Sequence, residues 1–78
     1  MNWKDYIHSD EGVLMGKPVI KGTRISVELI LELLANNWTE EMILESYPTL
    51  SKEAIKAVYN YLHECIQQEL FFPIKKSA

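Results

Sequence analysis

Few residues of this chain can do covalent or metal chemistry, and their spacing limits them further. His8 and His63 stand far apart, and neither has a second metal-ligating side chain at a useful offset. The single cysteine, Cys65, can build neither a zinc site nor an intrachain disulfide. His63 and Cys65 are two positions apart in a helical pattern, so their side chains point in different directions and form no nucleophile–base pair. Cys65 reads instead as a small interior residue. Gly16 and Gly22 flank lysines, but the Gly-Lys-Ser/Thr ending of a phosphate loop is missing. The expectation is a protein without catalytic residues, bound metal or cofactor.

What remains is the chemistry of contact. Lys17, Lys21 and Arg24 are spaced along a glycine-flanked stretch. Three roles fit them: keeping an edge strand soluble, touching DNA backbone, or placing an ammonium or guanidinium in an acidic pocket of a partner protein. A second surface is the outer face of the last helix. There Lys52 and Lys56 are one turn apart and can reach phosphates, while Asn60 can reach a base edge. Glu53 and Glu64 lie on the same helix and repel phosphate, so a plain solvated face is the competing account. A third group, Leu70, Phe71 and Phe72, stands near the C-terminus, where chains usually fray. These residues either close over the core and the N-terminal strands or dock in a groove of another protein.

These side chains must be positioned by helices. Three starts are built alike: Ser26, Thr39 and Ser51 are N-caps, each preceded by an apolar residue that can staple onto the fourth helical position. The staple pairs are Ile25 with Ile30, Trp38 with Ile43, and Leu50 with Ile55. The first helix runs from Ser26 to about Asn36, with Val27, Ile30, Leu31 and Leu34 facing the core. Leu29 and Leu33 widen that stripe and either sit inside a small bundle or face a second subunit. Asn36 and Asn37 suit a left-handed helix end. The second helix, about 40–46, points Met42 and Ile43 inward and stops before Pro48. The third, 52 to about 68, carries a stripe of Ile55, Val58, Tyr59, Leu62 and Ile66 and leaves Glu64 outside. The last two form a helix-turn-helix-like pair.

The expected fold is therefore mainly α: a three-helix bundle with a helix-turn-helix-like pair over 26–68, an extended segment over 1–25, and an apolar tail over 69–78. Short strands are expected at Val19-Ile20 and at 23–25, too short to stand alone and best paired across a homodimer. At 78 residues and 47% apolar composition, this is one domain near the size where a single core barely suffices. The net charge of −3, from 8 basic and 11 acidic residues, is the wrong sign for a free-standing nucleic-acid binder. It suits a basic protein partner better. No signal-peptide pattern and no membrane-length apolar run is present, and one cysteine suits a reducing compartment, so a cytoplasmic location is expected.

Three stretches together carry a family resemblance. Residues 16–27 read GKPVIKGTRISV, residues 34–38 close the first helix, and residues 47–51 read YPTLS. This combination resembles the bacterial and archaeal family known as domain of unknown function 433, from about Tyr6 to Leu62. Asn37 stands where the pattern usually has glycine. The resemblance implies a homeodomain-like fold and a role as antitoxin of a type II toxin–antitoxin pair, similar to VapB-type antitoxins. It also implies a PIN-like ribonuclease toxin as partner, whose metal-holding carboxylates would suit Lys21 or Arg24, with operator DNA as a further partner. The rival readings are a stand-alone helix-turn-helix regulator of transcription and a structural dimer module serving another protein.

Overall fold

The structure, a computed structural model, describes residues 1–68. Its helices are α1 (Val27–Ala35), α2 (Glu40–Ser46) and α3 (Lys52–Gln67). All three begin on the side chains read from the sequence. Ser26 Oγ accepts the Leu29 N–H at 2.9 Å, Thr39 Oγ1 the Met42 N–H at 3.1 Å, and Ser51 Oγ the Ala54 N–H at 3.1 Å. Each such cap stabilises by about 1 kcal/mol.

The helix ends follow equally local rules. Asn37 has φ 69°. Its N–H donates to Leu34 O at 3.2 Å, and the Trp38 N–H reaches Leu33 O at 3.1 Å. That pair of bonds is a Schellman closure, and it needs a left-handed residue where Asn37 stands. Trp38 thus closes α1 while preceding the cap of α2. At the other end of α2, Tyr47 leaves helical geometry at φ −126°, just ahead of Pro48.

The three helices enclose Ile30, Ile43, Ile55 and Val58, all without measurable exposure, with Ala54 and Ala57 allowing close approach on α3. Ile25, Leu33 and Trp38 pack around this core. Three positions expected inside point outward: Met42 and Tyr59 are each 43% exposed and Ile66 is 60% exposed. Helix length explains Ile66. At 1.5 Å per residue α3 is about 24 Å long and α2 only about 10 Å, so the last turns of α3 overrun the helix beside them. Tyr59 turns its hydroxyl toward Glu40 Oε2, 3.4 Å away. Met42 sits one position before Ile43, which fills the core, and so projects away from it.

The N-terminal segment differs more. Strand β1 (Ile7–Ser9) pairs antiparallel with β2 (Pro18–Ile20), in the register Ile7 to Ile20, His8 to Val19 and Ser9 to Pro18. β2 therefore finds its partner within the chain. Residues 23–25 form a turn rather than a strand, with a single bridge from Val19 to Ser26. The small sheet is held by the helices, β2 against α1 and β1 against α3. A single 3₁₀ turn, Trp3–Asp5, docks on α3 as well. The Trp3 ring stacks on Tyr61 at 4.8 Å, and its Nε1 donates to Glu64 Oε2 at 2.9 Å. Glu64, expected on the outer surface, is consequently half-buried.

Candidate functional site

The turn that follows β2 is fixed by its own sequence. Gly22 takes φ 78°, a left-handed conformation that other side chains rarely adopt. Thr23 then brackets the turn: its Oγ1 donates to Ile20 O at 2.8 Å and accepts the Ile25 N–H at 3.0 Å. The Ile20 N–H reaches Ile25 O at 2.9 Å, and the Lys21 N–H ties the turn to Tyr6 O at 2.8 Å. The backbone over 20–25 is thereby held from within. The side chains between, Lys21 and Arg24, stand exposed, with no hydrogen bond or ion pair among the described residues. Lys17 differs: its Nζ lies 3.4 Å from Glu28 Oε2, a largely exposed pair that contributes little to stability. Of the three cations in this stretch, the two on the locked turn are the ones without a counter-charge among the described residues.

Sequence reasoning overlooked two neighbours. Leu14 and Met15 have φ 49° and 58°, and Gly16 follows at 84°, giving a left-handed turn at the other end of β2. Such a conformation strains residues of this size by about 1–2 kcal/mol each. Met15 at its tip is 94% exposed, although it is apolar. Gly16 alone carried a hint of the turn, and nothing in its neighbours' types signals their backbone.

The outer face of α3 is less suited to phosphate. Lys52 shares an open cleft of about 510 Å³ with Thr39, Glu40, Glu41 and Leu44, so two glutamates stand nearby, although neither forms an ion pair with it. Asn60 spends its amide on Lys56 O at 3.0 Å instead of aiming it outward. Lys56 remains exposed. The structure thus brings Lys52, Lys56 and Asn60 onto one helix but sets two glutamates near the first and engages the amide of the last. Leu70, Phe71 and Phe72 lie outside the described residues.

Two tyrosines titrate above their usual range. Burial raises Tyr61, with neighbouring Cys65 adding to it. Burial also raises Tyr59, with the Glu40 charge adding to it. Both therefore stay neutral near pH 7. No cluster of three or more His, Cys, Asp or Glu that could hold a metal occurs among the described residues. No described helix is long and apolar enough to cross a membrane.

These features define a small three-helix domain headed by a two-stranded sheet and a rigid basic turn. Residues 7–62 match the family described as "Protein of unknown function (DUF433)", and the chain belongs to that family. It is also similar to the crystal structure of a DUF433 member protein from Anabaena variabilis ATCC 29413, at a TM-score of 0.75 and 26% identity. The match covers 83% of this chain and 64% of that one. No curated protein matches.

Proposed function

We propose that this chain is a non-enzymatic antitoxin of a type II toxin–antitoxin pair, which binds and inhibits a PIN-like ribonuclease. The observation that carries this reading is the turn over 20–25. It holds Lys21 and Arg24 on a preorganised backbone, free of intrachain partners among the described residues. A planar, unneutralised guanidinium is the group best able to form paired hydrogen bonds with carboxylates, and a metal-dependent nuclease concentrates carboxylates in its active site. Preorganisation also lowers the entropy cost of binding.

Met15 and Leu14 supply an apolar contact at the other end of β2. A strained, exposed apolar turn is hard to explain by stability and is more often kept for recognition. Lys17, already paired with Glu28, has a lesser part, and the tail residues Leu70, Phe71 and Phe72 extend the contact. Half-buried Leu29 offers a contact to a second copy of the chain in a homodimer, whereas Leu33 packs against this chain's own core. Operator binding through Lys52, Lys56 and Asn60 is the weaker part of the reading, given the glutamates beside Lys52.

The test is co-purification with the product of the adjacent gene, followed by a ribonuclease assay. Dose-dependent loss of cleavage at about one chain per nuclease active site supports the proposal. A nuclease rate that stays the same at saturating antitoxin rejects it.

A further inference from the structure

The loop over 10–17 joins β1, which ends at Ser9, to β2, which begins at Pro18. It is folded on itself. Asp10 O accepts the Val13 N–H at 2.8 Å, Val13 O the Gly16 N–H at 3.2 Å, and Leu14 O the Lys17 N–H at 3.2 Å. Within it Leu14 and Met15 hold left-handed backbone, a conformation costly for side chains of their size. Neither gains burial in return, since Leu14 is 42% exposed and Met15 lies almost wholly in solvent. The tight loop is strained, and what it delivers is a detachable unit. Residues 1–9, the 3₁₀ turn and β1, pack chiefly on β2 and α3. Ile7 is buried opposite Ile20, and Trp3 meets Tyr61 and Glu64. A second copy of the chain offers the same β2 and the same α3.

We propose that two copies exchange this unit: the loop over 10–17 opens, and residues 1–9 of each copy dock on β2 and α3 of the other. Every docked contact is reproduced across the pair, so its energy cancels between the closed monomer and the exchanged dimer. The balance is left to the loop and to concentration. Opening frees Leu14 and Met15 from left-handed backbone, which favours the dimer. It also trades local hydrogen bonds for bonds to water, a small net change. Lys17 is already extended at ψ 147°, as the residue before a proline prefers. Fully opened, the loop spans about 26–29 Å, against the spacing of about 5 Å between paired strands that it closes as a turn. That reach lets it cross to a neighbouring copy. The exchanged dimer differs from a side-by-side dimer through Leu29, in which each β1 stays on its own chain. It does not rest on the antitoxin reading.

The experiment traps β1 where it docks. Ser9 and Pro18 stand directly opposite each other across the strands, within the reach of a disulfide. The full chain carrying Ser9→Cys, Pro18→Cys and Cys65→Ser is concentrated, and its dimer is separated by size, oxidised and run denatured without reductant. The expected product is a covalent dimer, while the monomer fraction gives single chains bridged internally. Two loop variants, read by sedimentation, should move the equilibrium in opposite directions. Met15→Gly relieves the closed loop and should weaken association by about a hundredfold, about tenfold for each copy. Met15→Pro cannot take a positive φ and should strengthen it. Absence of a dimer in the concentrated parent would overturn the proposal, as would a dimer whose chains are each bridged internally. A dimer that tightens with Met15→Gly would do the same. Should the cysteine variant fail to fold, contacts between Ile7 and Ile20 in a co-refolded, mixed-label NMR sample of the parent decide: contacts between copies support the exchange, and contacts within one copy alone reject it.

Discussion

The turn over 20–25 and the outer face of α3 both display basic residues, yet the structure equips them differently. On the turn, Gly22 and Thr23 hold the backbone, and Lys21 and Arg24 face solvent with no carboxylate paired to them among the described residues. On α3, Lys52 lines a cleft with Glu40 and Glu41 without pairing to either, and the Asn60 amide bonds its own helix backbone. A count of positive charges ranks the two surfaces as equals, and the acidic residues standing close to Lys52 separate them. For an overall acidic chain, the position of a cation relative to its nearest acid decides which surface can take an anionic partner.

The largest expected effect tests whether the two regions belong to one folding unit. Ile55 is fully buried and touches the core shared by the helices and the sheet. Ile55→Ala should destabilise by about 2–5 kcal/mol. Unfolding followed by Trp3 and Trp38 fluorescence and by helical circular dichroism should shift together. Separate transitions would mean that the basic turn and the α3 face are independent pieces, and their contrast would lose its structural basis.

A smaller effect sharpens the role of the turn side. Met15→Gly removes left-handed strain and should raise stability by about 1 kcal/mol while weakening the partner. A variant that binds as well as the parent would make Met15 a bystander. On the other surface, Lys52→Glu with Lys56→Glu should leave nuclease inhibition intact and change stability by no more than about 0.5 kcal/mol. Loss of inhibition in that variant would move the contact to α3 and reverse the ranking.

The subtlest effect is a pH dependence. Because burial raises Tyr61 in the folded chain, the fold prefers the neutral phenol. That contribution is complete below the ordinary tyrosine value of about 10 and is lost as pH rises through the folded value. Denaturant midpoints should therefore fall more steeply above pH 10 in the parent than in Tyr61→Phe, which keeps the ring stacked on Trp3. Equal slopes would place Tyr61 in water.

Much of the fold is written in short-range signals. Ser26, Thr39 and Ser51 announce the helices because a cap acts on an amide three residues away. Asn37 announces the end of α1 for the same reason. The contacts that escaped are those made over distance. Ile7–Ser9 is only three residues long, two of them polar, and its partner lies beyond a loop, so no alternation marks it as a strand. Trp3 meets Glu64 and Tyr61 only once the chain has closed. The stripe on α3 has the right period, but periodicity cannot say where the opposing helix stops, and Ile66 lies outside the core for that reason. At the candidate site the cations were legible by type. That Glu28 claims Lys17 and leaves Lys21 and Arg24 unpaired among the described residues is a matter of three-dimensional placement.

The most direct test of the account is a titration of the co-purified nuclease with the parent chain and with Arg24→Glu, read as ribonuclease activity, with folding checked by circular dichroism. Breaking a desolvated charge pair costs about 2–5 kcal/mol, so the variant should need about thirtyfold more protein or worse for half inhibition while keeping the parent's melting curve. A folded Arg24→Glu chain that inhibits as well as the parent would contradict the assignment of the basic turn as the gripping surface.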